Sequence, residues 1–288
     1  MKAKFDSPLV TVSIPTKNSA KTIGLSLAAV KRQTYTNIEI NIVDAESHDE
    51  TVKIAKDALV KDVLFCTGSL LKSRYIGVRE ARGDYVLLLD SDQILQKTAV
   101  EDAVRIFTSD DVDMLALEET VYEENSFLET LFALDRKLIN TVNNLSEFTG
   151  VIMPRFFKTS LIRAAYRNIP KSLFVKTGGP DHAIVYYEAK RLSHNVGVIK
   201  NAVKHKEPTT YSQFWKKYYH WGYTSLDAHY GKYKHLMSRK ERFRTGLFTK
   251  GLILASFGSI LLLILKGVPF KIGYFTAAVQ KSIKKLHN

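Results

Sequence analysis

The sequence predicts an α/β fold, with a mostly parallel, Rossmann-like sheet, helices on both faces, and aromatic, basic and apolar helices at the C-terminal end. Three observations predict it. Strand and helix patterns alternate through the first half, the arrangement that gives a parallel sheet with right-handed crossovers. One strand pattern, "YVLLLD", runs without a break into the carboxylates of Asp90-Ser91-Asp92. The last third changes character, first to interleaved aromatic and basic residues and then to an uncharged apolar run.

The elements follow in order. "LVTVSIP" sets Val10, Val12 and Ile14 at period two, a strand. "NSAKTIGLSLAAVKRQ" then puts Ile23, Leu27 and Val30 on one helical face. Ile38, Ile40 and Ile42 alternate in the second strand, "IEINIVDA". Ser47 with Glu50 forms a capping-box pattern before the helix "TVKIAKDALV". "DVLFC" is a short third strand and "YVLLLD" a buried fourth. Thr98 with Glu101 repeats the capping pattern before "AVRIF". "DMLALEETV" predicts a fifth strand, and a helix follows from Ser126 to about Leu145. Beyond residue 150 the alternation weakens, with "HAIVYYEAKRL" helical and "VGVIKNAVKH" strand-like.

Composition narrows the class. The chain has 288 residues, 45% hydrophobic and 25% charged, which suits a globular protein with a sizeable core. Its one cysteine, Cys66, excludes an internal disulfide framework and a zinc-type cysteine cluster. "MKAKFDSPLVTVSIP" lacks a long apolar segment, so no signal peptide is expected and the expected compartment is cytoplasmic. Net charge is +13, and from Lys200 onward 17 Lys and Arg face 3 Asp and Glu, so the positive charge belongs to the C-terminal third. That asymmetry points to an anionic partner, a membrane surface or nucleic acid.

In open α/β sheets, ligands bind beyond the carboxyl ends of the strands. Pro15, Thr16, Lys17 and Asn18 follow the first strand here, Asp44 the second, and Asp90, Ser91 and Asp92 the fourth. Carboxylates converging on one crevice repel unless a cation stands between them. Asp-x-Asp at such a place reads as an oxygen-ligand site for Mg²⁺ or Mn²⁺, with a solvated Asp90 and a capping Asp92 as the plain alternative.

Five stretches extend the pattern: "VSIPTKN", "LAAVKRQTYTNIEINIVDAESHDET", "SRYIGVREARGDYVLLLDSD", "GGPDHAIVYYE" and "VKHKE…FWKKYYHWG". In order and spacing, from about Leu9 to about Gly222, they resemble the family-2 glycosyltransferases of the GT-A fold. The resemblance implies an inverting, metal-dependent transfer of sugar from a nucleotide diphosphate. It implies that Pro15, Thr16 and Asn18 lie along the nucleotide and that Asp44 accepts from the base. Asp49 would hold the loop after the second strand, and Arg74 would stand near the nucleotide. Asp90, with Ser91 beside it, would face the ribose or donor sugar. Asp92 and His205 would ligate a divalent metal, Mg²⁺ or Mn²⁺, and Asp181 would be the catalytic base. The chain departs from the family where Asp44-Ala45-Glu46-Ser47 replaces the frequent Asp-Asp-Gly-Ser, where Tyr75 follows Arg74, and where Pro180 precedes Asp181.

Each of these residues has a plainer reading. Asp181 also suits a helix cap, His205 a satisfied strand-end histidine, Asp44 a turn, and Arg74 a helix-surface charge. Trp215 and Trp221 read as packing or interface residues and not as sugar-stacking ones. Glu118, Glu119, Glu123 and Glu124 read as a solvated acidic edge.

The expected division is a nucleotide-sugar half at 1–115, an acceptor half at 116–207, and membrane-associating helices at 208–288. Gly251 to Leu265 is uncharged but would rise only about 22 Å as a helix, short of a ~30 Å hydrocarbon core. An interfacial or re-entrant segment is therefore favoured over a full span. The sequence points to a glycosyltransferase at the cytoplasmic side of the cell membrane. The expected acceptor is lipid-linked, a polyprenyl phosphate or lipid-linked glycan, with a surface polysaccharide or glycolipid as the close rival. A nucleic-acid-binding protein and a non-catalytic nucleotide-binding scaffold are the other classes. No nucleic-acid partner is expected, because the Gly251–Leu265 run serves none.

Overall fold

The computed structural model describes residues 7–142, 145, 152–175, 177–229, 231–239, 248 and 251–286. One eight-stranded sheet organises the chain, in the order β3-β2-β1-β4-β7-β6-β8-β5. Its strands are β1 (Val10–Thr16), β2 (Ile38–Asp44), β3 (Asp62–Phe65), β4 (Tyr85–Leu88), β5 (Gln93–Leu95), β6 (Met114–Val121), β7 (Pro154–Lys158) and β8 (Val196–His205). The first four lie parallel, joined by α1 (Ile23–Lys31), α2 (Thr51–Asp57) and α3 (Leu70–Glu80). Beyond β4 the sheet is mixed. β7 runs antiparallel to β4 and β6, β6 pairs parallel with β8, and β5 pairs antiparallel with β8.

The remaining helices are α4 (Ala99–Ser109), α5 (Phe127–Val142), α6 (Thr159–Arg167), α7 (Asp181–Lys190), α8 (Tyr211–Ser225), α9 (Lys234–Arg239) and α10 (Ile253–Leu286). The part of the predicted fifth helix beyond Val142 includes residues 143–144, outside the described residues.

The pleat explains the core. Every residue of β4 is buried, and alternate side chains leave opposite faces. Tyr85 and Leu87 join Val10, Val12, Ile14, Leu27 and Val100 on one side. Val86 and Leu88 join Leu71, Phe157, Ile162 and Ile184 on the other. A strand buried on both faces needs apolar residues throughout, which is why "YVLLL" is unbroken.

Two local expectations are corrected. The helix after β2 starts at Thr51 without a side-chain cap, because Ser47 turns back and bonds Asp44. Thr98 does stand at the N-cap of α4, but its hydroxyl donates to Asp102 and Glu101 accepts from Thr34.

Candidate active site

The turn after β4 decides where the carboxylates go. The Gln93 amide closes it onto the Asp90 carbonyl at 3.0 Å, and the Gln93 side chain accepts from the Asp90 amide at 2.9 Å. The chain then reverses into β5, whose pairing sets Gln93 opposite His205. Asp92 is thereby brought to His205, with Oδ1 3.4 Å from Nε2. Behind the imidazole, Glu207 Oε1 lies 3.1 Å from Nδ1, and Lys217 Nζ stands 3.7 Å from Asp92 Oδ2.

Asp181 opens α7 and is buried. Arg74, on α3 and 1% exposed, donates from Nε to Asp181 and from Nη2 to Asp90. Its Nη1 is buried without a hydrogen-bond partner. Arg155, on β7, holds the other Asp90 oxygen at 2.8 Å and reaches Glu119 at 3.2 Å. Arg136, on α5, joins Glu119 at 2.8 Å to Glu207 at 3.1 Å. Acid and base therefore alternate from Asp181 through Arg74, Asp90, Arg155, Glu119 and Arg136 to Glu207. This chain ties the expected base to the expected metal ligands.

The electrostatics follow from it. Burial opposes the Asp90 charge, but Arg74 and Arg155 outweigh it and hold Asp90 well below the usual carboxylate range. Glu119 is lowered in the same way by Arg136 and Arg155, and Glu207 by His205, Lys217 and Arg136. Burial disfavours the His205 imidazolium, yet Asp92 and Glu207 raise its pKa. His182 is shifted down by burial and by Arg155 and Arg74, so its Nε2 accepts from Arg155 at 2.7 Å.

These groups line one cavity of about 1150 Å³ at the carboxyl ends of β1 and β4. Pro15, Thr16, Arg74, Asp90, Ser91, Asp92, Asp181 and His205 all lie on its wall. Ser91 is tied to Ser19, from the loop after β1, at 2.9 Å. Asn18 and Asp44 are not part of that wall, Asn18 being exposed and Asp44 buried. Asp44 accepts from Thr16 at 2.8 Å and from the Ser47 amide and hydroxyl at 2.8 and 2.6 Å. Asn18 takes a left-handed backbone, φ 49°, and accepts from the His48 amide at 2.9 Å. Asp49 pins the following loop, accepting from the Ala20 and Thr51 amides at 3.1 and 3.0 Å.

The acidic-edge reading fails for two of its four residues. Glu118 and Glu119 are buried, while Glu123 and Glu124 are exposed. Arg136, Arg155, His182 and Glu207 were missed by sequence reasoning. Only His182, beside Asp181, and Glu207, two residues after His205, offered a signal.

Comparisons with known proteins show the family and the fold. The model of Glycosyl transferase family 2 matches residues 11–169, more than half of the chain. The chain belongs to glycosyl transferase family 2. Among curated relatives, "Glycosyltransferase GlyG" of Streptococcus pneumoniae is 28% identical over 125 residues, 41% of this chain and 42% of that protein. The Escherichia coli enzyme "UDP-Glc:alpha-D-GlcNAc-diphosphoundecaprenol beta-1,3-glucosyltransferase WfgD" is 25% identical over 151 residues, 51% of this chain and 58% of WfgD. The chain thus spans about half the length of these curated relatives. Among solved structures, the mannosyltransferase PcManGT of Pyrobaculum calidifontis, in complex with GDP-Man and Mn²⁺, superposes with TM-score 0.56 at 15% identity, over 98% of this chain and 81% of that one. Staphylococcus aureus TarS 1–349 superposes with TM-score 0.53 at 20% identity, over 81% of this chain and 69% of TarS 1–349. At these identities the likeness speaks for the fold, which is GT-A.

The family implies a divalent metal, and the donor set fits one. Asp92 offers a carboxylate oxygen and His205 an imidazole nitrogen, with the Glu207 carboxylate 3.1 Å from the other ring nitrogen. Among the described residues no three His, Cys, Asp or Glu form a metal cluster. Two protein ligands suit an ion that shares its remaining positions with phosphate oxygens and water.

Proposed function

We propose that this protein is an inverting glycosyltransferase that moves a sugar from a nucleotide diphosphate to a lipid-linked acceptor at the cytoplasmic face of the membrane. A polyprenyl phosphate or a lipid-linked glycan is the acceptor, and the anionic surface is its partner. One observation carries the reading. Asp92 with His205, and Asp181 fixed by Arg74, line the same cavity at the ends of parallel strands. WfgD, whose name gives alpha-D-GlcNAc-diphosphoundecaprenol as acceptor, supports the lipid-linked acceptor class.

Each residue then has a task. Pro15 and Thr16 lie along the nucleotide. In place of the nucleotide and base contacts expected of them, Asn18 and Asp44 hold that loop in shape, bonded to His48, Thr16 and Ser47. Asp90 and Ser91 face the donor sugar, and the unpartnered Nη1 of Arg74 supports a polar ligand beside them. Asp92 and His205 hold Mg²⁺ or Mn²⁺, which supplies Lewis-acid neutralisation of the leaving diphosphate. With a lipid-linked glycan as acceptor, Asp181 accepts the attacking hydroxyl's proton as the new bond to the anomeric carbon forms. A polyprenyl phosphate would attack through an already ionised oxygen. The bond to the diphosphate oxygen breaks, and its electron pair leaves on the nucleotide. A single base opposite the leaving group implies inversion. Residues 1–115 serve the donor, 116–207 the acceptor, and 208–288 the membrane.

Thermal shift against UDP-, GDP- and dTDP-sugars, with and without Mn²⁺, tests the reading. A ligand at 100 times its Kd adds ~2.7 kcal/mol, so one base should raise the Tm and only with metal. A folded protein that responds to none of them contradicts it.

A further inference from the structure

We infer that α10 lies flat in an anionic lipid surface, as an in-plane anchor and not a span. The inference deepens the membrane reading above and rests on it. By length and composition α10 passes as a membrane-crossing helix from Ile253 to Ile283. Its two faces exclude that use.

The inner face is packed on the protein along its length. Ala255, Ser259, Leu262, Pro269, Gly273 and Ala277 are buried at helical spacing. A Cβ on Gly222 of α8 would stand 1.9 Å from the Phe270 carbonyl oxygen, and one on Gly273 would stand 2.1 Å from that of Tyr219. The two backbones are therefore in contact. Ser259 donates to the buried Asp135 of α5 at 2.6 Å, and Lys266 turns inward to 3.8 Å from the same carboxylate. A perpendicular α10 would carry α5 and α8 into hydrocarbon with it, including the exposed Lys137 and Lys216.

The outer face carries an apolar stripe, with Leu263 exposed beside it. Phe257, Ile264, Val268, Ile272, Phe275 and Val279 are exposed, and at 3.6 residues per turn they fall within an arc of about 80°. Lys271, exposed at the middle of the helix, borders that stripe. In a span it would sit at the bilayer centre. In an in-plane helix it lies at headgroup level. The sequence supplies charge that suits anionic headgroups, since residues 238–250 carry five Lys and Arg against one Glu and Lys284 and Lys285 stand at the end of the helix. Lys281 is taken up by Asp227 at 2.7 Å. Lys266, Ala277, Gln280 and Lys281 line the active-site cavity from the inner face. The helix thus separates that cavity from lipid by its own thickness, which sets the reacting groups near headgroup depth.

The test uses the full-length protein and vesicles of phosphatidylglycerol and phosphatidylcholine. Wild type should float with the anionic vesicles. The triple variant Ile264→Asp, Val268→Asp, Phe275→Asp should lose partitioning by about tenfold or more, with an unchanged melting temperature. Depth comes from single cysteines at Phe257→Cys, Val268→Cys and Val279→Cys in a Cys66→Ala background, with a bimane label and lipid quenchers at graded depth. Equal shallow depth at all three is expected. A label at Val268 near the bilayer centre, with the ends in opposite leaflets, overturns the inference. So does absence of flotation, and so does self-association that the triple variant abolishes, since a second copy would then cover the stripe. Sugar-nucleotide binding is scored separately, so failure of the enzyme reading leaves these depths interpretable.

Discussion

Arg74 donates from Nε to Asp181 and from Nη2 to Asp90, so one buried guanidinium fixes both the expected base and a carboxylate at the donor site. Removing a buried partner leaves an uncompensated charge: Asp181 would lose its ion-pair partner, while Asp90 would keep only Arg155 at 2.8 Å. Arg74→Met should therefore cost about 3–5 kcal/mol in urea denaturation. Arg74→Lys keeps the charge but not the fork. It should retain more stability than Arg74→Met while losing turnover. Equal stability of Arg74→Met and wild type would show that the pair is not formed.

Glu119 and Glu123 separate structural from solvated acids four residues apart. Glu119 lies between Arg136 and Arg155, whereas Glu123 is exposed. Glu119→Gln should cost about 3 kcal/mol or more, and Glu123→Gln should stay within about 0.5 kcal/mol. Chemical denaturation of the two variants side by side checks this.

Acid sensitivity has a definite sign. Asp90, Glu119 and Glu207 titrate in the folded protein below the ~4 of an unfolded carboxylate. On acidification the unfolded state binds protons first. Their stabilisation is thus complete above the unfolded pKa and drains as pH falls through the folded values. The denaturant midpoint should fall steeply below about pH 4, and Asp90→Asn should start lower and fall less steeply. An acid limb equally steep in that variant contradicts the assignment.

Gly222 of α8, packed on α10, and Gly267 of α10 should respond oppositely. A Cβ at Gly222 meets the Phe270 carbonyl oxygen at 1.9 Å, while one at Gly267 meets nothing within 4 Å. Gly222→Ala should destabilise by more than the ~1–3 kcal/mol of ordinary overpacking and expose α10 to protease. Gly267→Ala should be neutral or stabilise by up to ~1 kcal/mol.

What the sequence made legible follows from range. β1, β2 and β4 announce themselves by alternation or by unbroken apolar runs. The carboxylates at their ends then lie where an open sheet binds ligands. β5 is three residues long, and β7, "PRFFK", has no clean period, so neither stands out before its partners are known. The charge chain was hidden for the same reason. Glu119 looks like one acid among several until Arg136 and Arg155, 17 and 36 residues further on, fold against it. Local pattern also misread Ser47, whose hydroxyl serves Asp44 and not the next helix. The length of α10 was underread because Lys266 interrupts the apolar run, although its ammonium lies over the Phe132 ring, 4.5 Å from the centroid.

The most direct test compares Asp92→Asn with Asp181→Asn in calorimetric titration of the responding sugar nucleotide, with Mn²⁺ present, and in turnover. Asp92→Asn should lose metal-dependent binding. Asp181→Asn should bind as wild type does and turn over ~10²–10⁴ times more slowly. Normal turnover in Asp181→Asn, or undiminished metal-dependent binding in Asp92→Asn, would contradict the assignment of base and metal site.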